Sequence, residues 1–164
     1  MKRSARVKCD YSSARDMFEA ARSAAIELSR IRRQLEELQS PRSGDPLQGG
    51  SGARADVNGM GATIALVDLE GRYRSIMAED ESLLAFASLV LYGEGGGGGL
   101  AALLDSSHAE VVFRRYLDAE TWDEVAEAMF ISRRSAIRYA GEAFDVIDAH
   151  GFSRTISGRG IAED

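Results

Sequence analysis

Apolar residues recur at alternating spacings of three and four along much of this chain, and that rhythm predicts helices. Ala14, Met17, Ala21, Ala24, Leu28, Ile31, Leu35 and Leu38 form one such seam from about residue 13 to 39, the pattern of a coiled-coil helix. Arg15, Arg22, Arg30, Arg32, Arg33, Glu19, Glu27, Glu36 and Glu37 fall on its outer faces. Pro41 disfavours helical geometry at Ser40 and so stops the helix. Ala62, Leu66, Leu69, Tyr73, Ile76, Leu83, Ala87 and Val90 set a second long helix running to Tyr92, with Asp80 at the missing core position. Gly71 weakens it by about 1 kcal/mol relative to Ala. Asp80 is expected to face water or to pair with an arginine of the first helix. Two such seams assemble most simply as an antiparallel hairpin, within one chain or as half of a dimeric four-helix bundle.

A third patterned region, 100–151, behaves differently, because its helices are short and each opens on a cap. Ser106 or Ser107 is placed to cap a helix carrying Val111, Val112, Phe113, Tyr116 and Leu117, with Arg114 and Arg115 on its open side as phosphate contacts. Thr121 and Glu124 have the spacing of a capping box, so a helix starts at Trp122 and buries Val125, Ala126 and Met129. Ser132 caps the next helix, in which Ala136, Tyr139, Ala140, Ala143, Phe144 and Ile147 repeat at helical spacing. Two capped helices joined by so short a turn read as a helix-turn-helix. Arg133, Arg134, Ser135 and Arg138 lie in the first turns of the second helix, off its apolar stripe, where such proteins meet the major groove. Arginine there bonds a guanine edge or a phosphate, Ser132 and Ser135 bond either, and Ile137 meets a thymine methyl. Thr121 and Trp122 set the first helix near the DNA backbone, Trp122 as a half-buried anchor.

The stretch T-W-D-E-V-A-E-A-M-F-I-S-R-R-S-A-I-R-Y resembles region 4 of bacterial sigma factors, whose pattern runs T-W-E-E-I-A-E-x-L-G-I-S-R-R-T-V-x-R; the match covers roughly residues 111–147. The wider layout resembles small phage or prophage sigma-like transcription regulators. The resemblance implies a helix-turn-helix of the winged-helix-type superfamily without a wing, and promoter-type DNA binding. It departs at the turn, where the family has Gly and this chain has Phe130. A bulky residue at positive φ is strained, so a slightly different turn conformation is expected there.

Composition adjusts this picture in three ways. The 17 Gly against 2 Pro cluster in two places, which predicts flexible breaks at 41–61 and 93–99. The expected organisation is therefore an all-α chain: a coiled-coil helix over 1–40, a linker over 41–61, a second arm helix over 62–92, a Gly-rich linker over 93–99, a helix-turn-helix domain over 100–151 and a disordered tail over 152–164. A single cysteine, Cys9, excludes an intramolecular disulfide and any multi-cysteine metal site, which favours a cytoplasmic setting. The longest apolar run, about half of the ~20 residues a bilayer span needs, excludes a membrane partner. Third, the net charge of −6 opposes duplex binding in general, since affinity for DNA draws on phosphate neutralisation. The three arginines stand together without an intervening acid, yet useful affinity calls for a homo-oligomer through the helical arm or a partner already on DNA, such as RNA polymerase.

No catalytic constellation is present. The glycine run at 95–99 lacks the G-K-[ST] ending of a phosphate loop, His108 and His150 have no metal-ligand spacing, and Glu79, Asp80 and Glu81 have no group beside them to shift their pKa. No cofactor and no metal are expected. The sequence thus predicts a non-enzymatic, sequence-specific transcription regulator whose partner is double-stranded DNA. The alternative is a structural adaptor or a small-terminase-like DNA-packaging subunit, which the acidic balance favours.

Overall fold

The structure is a computed structural model and describes residues 10–40 and 56–159. Among these residues all regular structure is helical: α1 (Ala14–Gln39), α2 (Asp56–Tyr92), α3 (Gly99–Leu103), α4 (Ser106–Val112), α5 (Trp122–Met129), α6 (Arg133–His150) and α7 (Phe152–Ser157). A 3-10 turn at Glu94–Gly96 and a π-turn at Phe113–Leu117 complete the chain. Among the described residues no helix is long and apolar enough to cross a membrane. Cys9, the 41–55 part of the connection expected over 41–61, and the last residues of the tail, 160–164, lie outside the described residues.

α1 begins where the sequence predicts, with Ser13 Oγ accepting the Asp16 N–H at 3.1 Å. Its seam residues from Ala14 to Ile31 are buried, Leu35 is half-buried, and Leu38 is exposed at the far end. Two further residues, Phe18 and Ala25, are also buried. Phe18 shows why: its ring stacks on Phe144 of α6 at 5.6 Å and meets Tyr116 edge-on at 6.0 Å, while Tyr116 and Phe144 close the triangle at 5.4 Å. Polar contacts reinforce the same junction. The Ala14 N–H donates to Asp148 Oδ1 at 2.6 Å, and Arg22 Nη1 donates to the carbonyls of Arg115 and Glu120 at 2.8 and 3.2 Å. The first half of α1 therefore belongs to the core of the C-terminal helices, and its second half lies along α2. The division into an arm and a separately linked domain is corrected accordingly.

The glycine stretch over 93–99 is likewise not a loose break. A Cβ on Gly99, at φ +70°, would stand 2.4 Å from the backbone of Leu91 and Tyr92, and one on Gly93 would stand 2.5 Å from Gly98 Cα. The glycines are present because the chain folds tightly onto itself at the end of α2, with the Gly98 N–H donating to the Tyr92 carbonyl at 3.0 Å. The tail expected to be disordered forms α7, whose Phe152 ring lies 5.8 Å from Phe86 and whose Thr155 is fully buried with Oγ1 donating to the Gly151 carbonyl at 2.9 Å.

α2 starts at Asp56, earlier than the expected residue 62, and runs antiparallel to α1, with Arg32 paired to Glu81 at 3.4 Å. Asp80 neither faces water fully nor meets an arginine. It is half-buried with one carboxylate oxygen unsatisfied, and burial first, then the charges of Glu27 and Glu79, push its pKa up.

Because Phe18 belongs to both the α1 helix and the C-terminal core, Phe18→Ala is expected to cost about 3–5 kcal/mol. Trp122 fluorescence and helical circular dichroism should then shift to lower denaturant together, as a single transition. Two separated transitions in the wild-type chain would contradict a shared core.

Candidate nucleic-acid interface

The geometry of α5 and α6 follows from their ends. At the start of α5 the Thr121 N–H and Oγ1–H both donate to Glu124 Oε2, at 2.7 and 2.8 Å, and the Glu124 N–H returns a bond to Thr121 Oγ1 at 3.3 Å. The capping box predicted from sequence is formed. At its other end Phe130 takes the left-handed conformation, φ 55° and ψ 38°, which lets the Ile131 N–H reach the Ala126 carbonyl at 3.0 Å and turns the chain sharply. The expectation of a different turn conformation is thus corrected: Phe130 does what glycine does elsewhere. That geometry costs a residue with a Cβ about 1–2 kcal/mol, and at 96% exposure the ring gains no burial in return. Ser132 then caps α6, its Oγ accepting the Ser135 N–H at 3.0 Å.

α6 is held from within by Ala136, Ala140, Ala143, Phe144 and Ile147, all buried, which leaves the opposite face of its first two turns to solvent. Arg134, Ile137 and Arg138, at i, i+3 and i+4, share that face, and with Ser135 they line a shallow depression of about 380 Å3. Ile137 is 46% exposed. Arg134 has no ion-pair or hydrogen-bond partner among the described residues. Arg133 lies 3.7 Å from Asp123, and Arg138 Nε lies 3.5 Å from Glu142 Oε1, both pairs exposed and weak. Ser132 and Ser135 are less available than expected, since their hydroxyls bond each other at 2.9 Å and Ser135 is half-buried.

Arg114 and Arg115 depart from expectation. Instead of standing on an open side, they hold the chain between the π-turn and α5. Arg114 Nη1 donates to Glu120 Oε1 at 3.2 Å, and its Nε lies 2.8 Å from Glu110 Oε1, an ion contact without hydrogen-bond alignment. Arg115 Nη1 donates to the Glu120 carbonyl at 2.8 Å, and its guanidinium covers the Trp122 ring at 4.8 Å. Trp122 is half-buried, edge-on to Tyr116 at 6.3 Å, which matches its reading as an anchor. Asp105, not Ser106 or Ser107, caps α4.

One residue that sequence reasoning set aside lies directly beneath this face. His108, largely buried, stacks on Tyr139 at 4.3 Å. Its Nδ1 lies 2.8 Å from both oxygens of Asp105, and its Nε2 lies 2.8 Å from Glu142 Oε2. With a carboxylate at each ring nitrogen, the imidazolium satisfies both as a double donor. Burial alone pulls the His108 pKa down, but hydrogen bonds to Glu142 and Asp105 outweigh it and the net direction is up. Glu142 in turn holds Arg138, whose guanidinium lies over the Tyr139 ring at 5.5 Å. A chain of contacts thus runs from the α4 cap to the exposed face of α6. The spacings of Asp105 with His108 and of Arg138 with Glu142 are its local traces in the sequence; the step from His108 to Glu142 has none.

Comparison of the chain with protein-family models, with characterised proteins and with solved structures gives no match.

His108 has a folded-state pKa above its ordinary 6.5, so its stabilising contribution is complete below about that value and is lost as pH rises through the folded-state pKa. Asp105 sets the acid limit. Burial opposes ionisation of its carboxyl, but bonds from His108 outweigh that and lower its pKa, so its contribution is lost as pH falls through the depressed value. The melting-temperature advantage of the wild type over His108→Gln should therefore shrink from mildly acidic to alkaline pH. An advantage that stays constant across that range would contradict the doubly bonded imidazolium.

Proposed function

We propose that this protein is a non-enzymatic, sequence-specific DNA-binding transcription regulator, with α5 and α6 acting as a helix-turn-helix and α6 as the recognition helix. The observation that carries this reading is the exposed cluster of Arg134, Ile137 and Arg138, flanked by Arg133, on the first two turns of a capped helix that leaves its neighbour through a three-residue turn. Arg134 and Arg138 bond guanine edges or phosphates, Ile137 meets a thymine methyl, and Thr121 lies on the exposed start of the supporting helix for backbone contact. Arg114 and Arg115 keep a positioning role, since each guanidinium is half-buried with one Nη1 donating to Glu120 within the protein.

A second reading, an adaptor or DNA-packaging subunit, is favoured by a specific observation: Phe130, strained and almost wholly exposed beside the arginines, on a chain of net charge −6, suits a protein partner. The two readings separate over salt. Affinity of a DNA reader falls steeply as ionic strength rises and one sequence is preferred, whereas an adaptor shows a stable protein complex and no duplex preference.

A duplex selected from a random library by the wild-type chain provides the test. Arg134→Ala with Arg138→Ala is expected to weaken its binding by on the order of a hundredfold or more, each arginine contributing about 1–3 kcal/mol. Circular dichroism should not change, because neither side chain is buried. Undiminished binding by the double variant in a gel shift would refute this face as the DNA contact.

A further inference from the structure

The antiparallel pairing of Arg32 with Glu81 carries the end of α1 at Gln39 only about as far as the level of Arg74. The stretch of α2 from Gly61 to Tyr73, roughly 20 Å of helix, extends past it. That extension is not a polar rod. Ile64 and Val67 are 63% and 65% exposed, and with Gly71, Ser75, Ala78, Ser82 and Ala85 they form one continuous exposed stripe. The half-buried Met77, Asp80 and Leu84 recur on the opposite side, the one α1 covers. The connecting residues 41–55 contain a single large aliphatic side chain, Leu47, so the chain's own linker offers little apolar surface to cover such a stripe.

The charges beside the stripe say what does. Residues 68–74 read D-L-E-G-R-Y-R. Moving outward from Gly71, Glu70 is answered by Arg72 one residue away on each side, and Asp68 by Arg74 at three. A helix with this order is complementary to itself when turned end for end. In an antiparallel crossing centred on Gly71, the acidic flank of each copy lies over the basic flank of the other, while a parallel pair sets like charges together. Within one copy these groups are not otherwise committed, since the contact between Arg74 and Glu70 is a loose 4.0 Å. At the crossing point Gly71 has open space where a Cβ would be, so the two backbones can approach closely.

We propose that a second copy of this chain covers the outer face of α2, in a two-fold antiparallel dimer centred on Gly71. The dimer joins through Ile64, Val67 and Ala78 of each copy, with Asp68, Glu70, Arg72 and Arg74 fixing its direction. Each C-terminal set of helices then lies at an opposite end of the assembly.

Light scattering on the full chain without DNA tests this independently of any duplex contact. Wild type is expected at twice its chain mass of 17.7 kDa. Asp68→Arg with Glu70→Arg makes both flanks basic, and Arg72→Glu with Arg74→Glu makes both acidic. Each variant alone should fall to the monomer mass, and an equimolar mixture should return to the dimer. Inverting all four charges in one chain keeps the i, i+4 pairs along the helix and should also restore the dimer. A monomeric wild type, single-sign variants that remain dimeric, or a mixture that does not associate would each overturn the proposal.

Discussion

The contact on which the rest of the molecule depends is the aromatic triangle of Phe18, Tyr116 and Phe144. Each ring comes from a different part of the chain, and each is almost fully buried. Burying a side chain of this size is worth about 1.5–3 kcal/mol, and each well-oriented ring pair adds about 0.5–1.5 kcal/mol. The triangle has a geometric consequence as well. Phe144 lies three turns into α6, and Ala136 and Ala140 of the first two turns are buried in the same core, so the helix is clamped along one face and turns the other outward. Arg134 and Arg138 are exposed for that reason, and the strained turn at Phe130 fixes the angle at which they emerge.

Local signals made most of the helices legible. The three–four spacing placed the start of α1, and the Thr121 and Ser132 caps those of α5 and α6, because caps and amphipathic stripes act within one or two turns. What failed depends on residues distant in sequence. Phe18 sits one position off the α1 seam, and nothing nearby in the sequence shows that α6 will supply it with a second core. Glycines 93–99 carry the composition of a flexible linker, but the same lack of side chains allows one backbone to lie against another. The tail around Phe152 and Thr155 has too few apolar residues for a visible period, and it folds because α2 provides the complementary surface.

The candidate site divides along the same line. The exposure of Arg133, Arg134, Arg138 and Ile137 followed from their place off the apolar stripe, which is local information. Arg114 and Arg115 share that local signature but meet Glu110, Glu120 and Trp122 once the π-turn forms, and no periodicity predicts a π-turn. His108 is the converse case. It looked isolated in sequence, whereas α4 and α6 bring Asp105, Glu142 and Tyr139 around it.

Electrostatics explain how an acidic chain can still present a cationic tip. Glu142 is shared between His108 and Arg138, and Asp123 lies beside Arg133 on the neighbouring helix, so Arg134 keeps its charge unpaired on the exposed face. The most direct measurement of the central claim is cleavage from a tethered iron chelate. With Cys9 replaced by serine, the chelate is attached either to Ile137→Cys on α6 or to Ser82→Cys on α2. Cuts are expected to be confined to a few neighbouring base pairs from position 137, with none from position 82. Scattered cuts from both positions, or no cuts from position 137, would contradict it.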